Sequence, residues 1–197
     1  MPSAKSFIFH LKSPKRVILD QYLSTRNMMI FSCTKKVLDK IKKYKPVEKV
    51  KEAPGQFNWY VDLINLNRKN CFLFTHSETL FSFFIYMGTK KEITNMESLF
   101  EEELRKMLIK EISNEEKLAN LLLPAPLSFR FLPTNSRKVL GSMNDFKNQI
   151  KAHVWKDGGL SSSPELIKHW INEVPMGANK YKSGRAMMKA FLIENGD

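Results

Sequence analysis

This sequence of 197 residues has few cysteines and no long apolar run. Two cysteines exclude a disulfide framework and favour a reducing, intracellular compartment. The longest apolar run, residues 79–87, falls far short of the roughly 20 residues that a membrane-spanning helix requires. Residues 7–9 are apolar, but basic residues follow at once, unlike the long apolar stretch of a secretory signal. The sequence predicts a soluble cytoplasmic protein that makes no membrane contact.

The usual motifs of metal and nucleotide sites are missing as well. The histidines lie in four separate segments, at His10, His76, His153 and His169. Neither Cys33 nor Cys71 has a second cysteine or a histidine at metal-ligand spacing. No loop has the spacing of a Walker or a dinucleotide-binding motif. We therefore expect no metal site and no cofactor.

The composition and the apolar periodicity predict one α+β domain. Apolar residues make up 43% of the chain and charged residues 26%, which is ordinary for a globular domain. A short β-prone run ends at Cys33, and Thr34 follows as the N-cap of a helix that carries Val37, Leu38 and Ile41. This strand-to-helix start predicts a single domain over residues 28–197, preceded by an N-terminal extension or arm at 1–27.

The next part of the chain predicts a small, mainly antiparallel sheet with a hairpin. Residues 45–56 contain two prolines and a glycine, which is typical of a linker. Over residues 58–63 apolar and polar side chains alternate, as in a half-buried strand. Turn residues at 67–70 lead into the apolar run 71–75, which is expected to be a central strand. The run 80–86 is either a strand or a buried helical turn.

The C-terminal half is predicted to be mainly helical. One helix from Asn95 has an apolar face that includes Phe100 and Leu104, and a second spans about 114–123. A short strand is expected at 127–132. The remaining helices are marked by three apolar stripes, namely Met143, Phe146 and Ile150; Leu166, Ile167, Trp170 and Ile171; and Met187, Ala190 and Phe191.

The positive charge is concentrated near the N-terminus. Residues 1–51 hold 13 Lys or Arg against 3 Asp or Glu, whereas the rest of the chain holds 19 against 17. Lysine suits flexible contact with phosphates better than bidentate reading of bases. The alternative is a solvated helix face that continues into a linker. The candidate nucleic-acid-binding residues are Lys35, Lys36, Lys40, Lys42 and Lys43.

Residues 134–146 combine polar side chains, a glycine and a helix start, and two interpretations are open. Ser142 with Asp145 resembles a capping box, and Gly141 would then turn the chain into the helix. Alternatively, the same turn presents backbone N–H groups at a helix N-terminus, where an anion would bind. The candidate anion-binding residues are Arg137, Lys138, Gly141 and Ser142.

Four sequence blocks, in order, resemble an uncharacterised prokaryotic family of small proteins classed as a domain of unknown function. They are Cys33-Thr34-Lys35-Lys36, Trp59-Tyr60-Val61-Asp62-Leu63, the runs 71–75 and 81–83, and the pattern Asn-x-Arg-x-Val-Leu-Gly-Ser-Met-Asn-Asp-Phe at 135–146. The resemblance covers about residues 28–194 and supports a domain start near Met28. It implies no activity, substrate or catalytic residue.

Few residues suggest catalysis. His76, just after a strand, is the best candidate for acid–base chemistry, and Asp62 and Arg137 are the polar residues that would complete a metal-free nuclease. Alternatively, His76 caps or packs a turn. Cys33, close to basic side chains, is a candidate for a lowered thiol pKa, although packing is the favoured role of both cysteines.

Three functions are consistent with the sequence, and binding is favoured over catalysis. The first is a non-enzymatic module that contacts nucleic acid or another polyanion through the lysine-rich N-terminal region. The second is a protein-interaction component of a plasmid, phage or defence system, with an acidic protein as partner. The third is a metal-independent enzyme such as a nuclease. The sequence sets no oligomeric state.

Overall fold

The computed structural model describes residues 28–49, 57–66, 68–110, 128–156 and 164–194. Three predicted features lie wholly or partly outside these residues: the extension at 1–27, the helix at 114–123, and residues 50–56 of the linker expected at 45–56.

A five-stranded mixed sheet forms the centre of the fold. Its strands are β1 Met28–Cys33, β2 Asn58–Leu66, β3 Lys69–His76, β4 Ser82–Tyr86 and β5 Ser128–Pro133, in the order β4-β3-β2-β1-β5. The α+β class is confirmed. The sheet is not purely antiparallel, however, because β1 pairs in parallel with both of its neighbours. A helical crossover connects β1 to β2, and such a crossover makes consecutive strands parallel.

Among the described residues, four helices cover one face of the sheet. They are α1 Lys35–Ile41, α2 Lys90–Thr94, α3 Met96–Leu108 and α6 Gly184–Glu194. Aromatic side chains fill the layer between: the ring centroids of Phe31 and Phe100 lie 4.8 Å apart, and those of Trp59 and Phe83 lie 5.5 Å apart. Phe129 and Phe131, which lie two residues apart on β5 and so face the same side of the sheet, also contact Phe31.

The opposite face is covered by α4 Arg137–Lys156 and α5 Pro164–Ile171. Met143, Phe146 and Ile150 of α4 are buried against Tyr60 and other side chains of the central strands. Helices on both faces explain why the half-buried prediction for β2 is wrong. Its alternating polar residues Asn58 and Asp62 are buried as well.

The hairpin and the ambiguous aromatic run are both settled by the structure. β2 and β3 form the predicted hairpin, and Arg68 in the turn has a φ of 64°. The run at 80–86 contains strand β4, which pairs with β3 from Ser82 to Tyr86. β3 is an internal strand, as expected of its apolar sequence, but β2 occupies the centre of the sheet.

Residues 45–48 do not behave as a linker. Val47 forms a parallel bridge to Phe131, and the Glu48 carboxylate accepts hydrogen bonds from Arg130 at 2.6 and 2.8 Å. Lys45 pairs with Glu97 of α3. This segment therefore covers the outer edge of β5.

Asn172 connects the C-terminal elements to the free edge of β4 through two hydrogen bonds. Its Oδ1 accepts from the Ser82 N–H at 2.8 Å, and its Nδ2 donates to the Ser82 carbonyl at 2.7 Å. A small ribbon of β6 Pro175–Met176 and β7 Lys182–Ser183 then leads into α6. In α6, Met188 and Leu192 are buried with Phe191, whereas the predicted Ala190 is exposed. No helix among the described residues has the length and apolarity needed to cross a bilayer.

Candidate functional site

An open position lies beyond the carboxyl end of β1. The β1–β2 pairing ends with Cys33 opposite Val61, but β2 continues to Leu66. On the β1 side, residues 63–66 therefore have no partner strand in the described part of the chain.

Two helices leave this position toward opposite faces of the sheet. α1 follows β1 and packs with the Phe31 cluster, whereas α4 follows β5 and packs on the Tyr60 side. Connections that diverge from neighbouring parallel strands leave a crevice outside the carboxyl ends, where α/β proteins commonly bind ligands.

A groove with a volume of about 430 Å³ occupies this crevice. We call it the lysine–asparagine groove. It is lined by Lys36 of α1; Leu63, Ile64 and Asn65 of β2; Asn70 of β3; and Asn144, Lys147, Asn148 and Lys151 of α4. None of these lining residues is acidic. Neither Lys36 nor Lys151 has an ion-pair partner among the described residues, so the positive charge of both is available to a ligand.

Asp62 fixes the position of the third lysine. Its Oδ1 accepts from the Thr34 hydroxyl at 2.7 Å and from the Leu63 N–H at 2.8 Å, and its Oδ2 pairs with Lys147. Asp62 is buried, so Lys147 balances a carboxylate that water does not solvate. Thr34 begins α1 as predicted, but its side chain bonds to Asp62 instead of capping the helix.

Tyr60 ties β2 to the beginning of α4. Its buried hydroxyl donates to Asn135 Oδ1, and burial raises the Tyr60 pKa. The next residue, Ser136, accepts a hydrogen bond from the Val139 N–H at 3.4 Å, as an N-cap does. These contacts hold α4 beside β2, which sets the position of one wall of the groove.

The family described as Domain of unknown function (DUF6933) matches residues 30–186. The chain belongs to this family. No curated protein and no solved structure matches the chain. The DUF6933 match begins within β1 and ends within α6, so it includes every residue that lines the groove.

In this DUF6933 domain the predicted turn at Gly141 and Ser142 is wrong. Both residues lie inside α4, which begins at Arg137. The Ser142 hydroxyl donates to the Lys138 carbonyl at 3.3 Å. Because backbone N–H groups inside a helix bond to preceding carbonyls, those of Gly141 and Ser142 cannot hold an anion. Arg137 and Lys138 are exposed in the first turn.

Gly141 lies on an exposed face of α4 with open space around it. A Cβ placed there would have no neighbour within 4 Å. Helical spacing puts Gly141 on the face that carries Asn144, Asn148 and Lys151. No packing requirement among the described residues therefore explains this glycine. Because Gly141 has no side chain, nothing projects from α4 at this position.

The five lysines that were predicted to bind nucleic acid divide between two faces of α1. Lys36 lines the groove, and the helical spacing of Lys40 and Lys43 continues its line along the helix and the turn that follows. On the neighbouring face Lys42 pairs with Asp39 at 2.9 Å, while Lys35 is exposed. One member of the predicted set thus reaches the groove.

The three catalytic candidates of the DUF6933 domain do not form one site. His76 is fully buried on the Trp59 face of the sheet, with its ring 5.1 Å from those of Trp59 and Phe191. Asp62 lies on the opposite face. His76 Nδ1 lies 3.0 Å from the Thr79 hydroxyl, so the histidine stabilises a turn.

Both thiols are buried, so neither is a candidate for a reactive group. Burial raises the pKa of Cys33 and raises that of Cys71 to about 12. The lowered pKa proposed for Cys33 is therefore wrong, because its side chain packs in the core instead of facing the lysines of α1. Among the described residues, no group of three His, Cys, Asp or Glu side chains is placed to hold a metal ion.

The sequence contained a signal for the groove residues that the prediction missed. Asn144, Lys147, Asn148 and Lys151 recur at helical spacing beside the apolar stripe of α4. A basic and amide-rich stripe of this kind marks the polar face of an amphipathic helix and places these four side chains together on it. Asn65 and Asn70 face each other across the hairpin, which its register would have predicted.

Proposed function

We propose that this DUF6933 protein is a non-enzymatic module that binds nucleic acid in the lysine–asparagine groove. The observation that carries the proposal is the lining itself, in which three lysines and four asparagines surround the open end of β1 without a carboxylate.

The chemistry of the lining matches a nucleic-acid strand. Lysine ammonium groups neutralise phosphates without demanding a fixed geometry. Each asparagine amide both donates and accepts hydrogen bonds, so it can contact a phosphate, a sugar or a base edge. Lys147, which Asp62 holds in place, contributes a positioned donor.

Further basic side chains extend the cationic surface away from the groove. Lys40 and Lys43 continue the line of Lys36 along α1, and Arg137 and Lys138 are exposed at the start of α4. A polymer anchored in the groove would find additional phosphate contacts on both sides. The proposed binding region is therefore centred on the end of β1, and Lys36 is the member of the predicted lysine set that lines it.

The first test neutralises the two exposed groove lysines. The double variant Lys36→Gln/Lys151→Gln should bind a fluorescent mixed-sequence oligonucleotide about tenfold more weakly at low salt. The slope of log affinity against log salt should fall by about 1 for each lysine removed. Fluorescence anisotropy at several salt concentrations measures both quantities.

The matched control is Lys182→Gln/Lys189→Gln, which removes two exposed lysines that do not line the groove. It should bind like the wild-type protein. If both double variants lost affinity equally, the loss would depend only on the net charge of the protein, which would contradict the proposal. Absence of nucleic-acid binding at low salt, with a stoichiometric acidic protein co-purifying instead, would establish the protein-interaction alternative.

A further inference from the structure

A second cleft adjoins the lysine–asparagine groove. It has a volume of about 560 Å³ and is lined by Arg68, Lys69, Asn70, Tyr86, Gly88 and Glu92. Asn70 lines both depressions, so they meet at this residue. We call the second depression the tyrosine cleft.

The hairpin end carries the connection between the two depressions. Asn65 of β2 pairs with Asn70 of β3, and Leu66 pairs with Lys69. Arg68 in the turn and Lys69 beside it are both exposed. A chain that leaves the groove past Asn65 and Asn70 therefore meets two more cations, which themselves line the tyrosine cleft.

Glu92 is the acidic residue in the lining of the tyrosine cleft, and its charge has a structural role. Its carboxylate accepts from the Thr89 N–H at 2.8 Å and the Gly88 N–H at 2.9 Å, in the capping box of α2. The hydrogen bond from the Thr89 backbone is the main cause of its lowered pKa. Its carboxylate is thus satisfied locally, whereas Arg68 and Lys69 face solvent.

Tyr86 supplies an aromatic wall. Its ring is only partly buried, and Lys69 Nζ lies 5.9 Å from the ring centroid. The Tyr86 hydroxyl has no hydrogen-bond partner in the described part of the chain. Because the hydroxyl is buried, we assign the contact with the ligand to the Tyr86 ring. A base of any type can stack on an aromatic ring.

We infer that the bound nucleic acid is single-stranded and that its path runs from the lysine–asparagine groove across the hairpin end into the tyrosine cleft, where a base stacks on Tyr86. This inference rests on the proposed function. Amide-lined grooves and an aromatic wall are usable by unpaired bases, whereas a duplex keeps its bases stacked and paired.

The inference predicts a preference for unpaired strands. A 12-nucleotide single strand should bind the full-length protein at least about tenfold more tightly than a blunt duplex of the same sequence at equal ionic strength. Competition anisotropy measures the ratio. Equal or tighter binding of the duplex would overturn the inference.

Variants of the tyrosine cleft test the path. Arg68→Gln/Lys69→Gln should weaken single-strand binding and reduce its salt slope. Tyr86→Leu should weaken it about tenfold, whereas Tyr86→Phe, which keeps the ring, should bind like the wild type. Tyr86→Phe also removes an unpartnered hydroxyl, so its thermal midpoint should not fall.

The outcomes separate this inference from the proposed function. If Lys36→Gln/Lys151→Gln loses affinity but the tyrosine-cleft variants do not, the path is wrong and the groove is retained. If a folded Tyr86→Phe loses as much affinity as Tyr86→Leu, stacking on the ring is wrong. If no nucleic acid binds at low salt, both proposals fall.

Discussion

Replacement of Asp62 tests both the stability of the fold and the charge of the groove. Its buried carboxylate holds Lys147, Thr34 and the Leu63 N–H. Asp62→Asn keeps the size of the side chain but removes its charge, so we expect the free energy of unfolding to fall by about 2 kcal/mol. Nucleic-acid affinity should rise, because Lys147 is no longer neutralised. Urea unfolding and anisotropy measure the two effects.

The control for this substitution is Asp145→Asn, which changes an exposed carboxylate on α4. It should alter the free energy of unfolding by less than about 0.5 kcal/mol. Reduced affinity in a folded Asp62→Asn variant would contradict this prediction, because it would mean that the placement of Lys147 by Asp62 matters more for binding than the charge that Asp62 neutralises.

The two thiols give a prediction about pH. Burial raises the pKa of Cys71 from its ordinary value of 9.0 to about 12, and raises that of Cys33 as well. The unfolded chain therefore releases these protons first, so the stability they contribute is complete below about pH 9 and is lost as the pH rises further. Urea unfolding at pH 8 and pH 10 should show this decline.

Alkylation provides an independent check of the same burial. Iodoacetamide at pH 8 should leave Cys33 and Cys71 unmodified in the folded protein and label both in urea. Rapid labelling of Cys33 under native conditions would indicate an accessible thiolate and contradict its placement in the core.

At the scale of elements, α4 shows how a local motif misleads. Ser142 and Asp145 have the spacing of a capping box, but the apolar stripe extends back to Val139, four residues before Met143. The longer periodicity prevails because it buries more apolar surface, and Tyr60 fixes the preceding loop through Asn135. The helix and its buried face could be predicted, whereas its first residue depends on a contact from a distant strand.

The same helix offers a test of the groove wall. Gly141→Glu places a negative charge where the structure leaves open space, so the variant should fold and bind nucleic acid several-fold more weakly. Ala186→Glu, at an exposed position of α6, is the matched control and should bind like the wild type. Unchanged affinity of Gly141→Glu would exclude this face of α4 from the interface.

Asn172 gives a second prediction about stability. Its amide satisfies both the N–H and the carbonyl of Ser82 on the free edge of β4. Asn172→Ala should lower the free energy of unfolding by about 2 kcal/mol, because the Ser82 groups stay buried without partners. Asn148→Ala, which removes an exposed amide, should not destabilise the protein. Urea unfolding of both variants decides whether this contact anchors the C-terminal elements.

At the scale of the whole molecule, the sequence predicted the elements better than their arrangement. Strands β1, β2, β3 and β5 and the hairpin follow from β-prone runs, alternation and turn residues, whereas the run that contains β4 was equally consistent with a helical turn. The pairing of β1 with β5 does not, because it joins segments about 100 residues apart and leaves no local pattern. The groove depends on that pairing, since it brings α1 and α4 to the same end of β1.

The positive charge is also distributed differently in the fold than along the sequence. Counting along the chain concentrates the positive charge in residues 1–51, but the groove combines Lys36 from that region with Lys147 and Lys151 from the nearly neutral remainder. A local cationic site can thus arise from folding in a part of the chain with little net charge.

Mapping the contact surface by NMR is the most direct test of whether nucleic acid binds in the lysine–asparagine groove. Backbone amide resonances of the full-length protein should be recorded during titration with a short single-stranded oligonucleotide at low salt. We expect the chemical-shift changes to concentrate at residues 63–65, 70 and 144–151. Shifts confined to other surfaces, with these residues unmoved, would contradict the proposal.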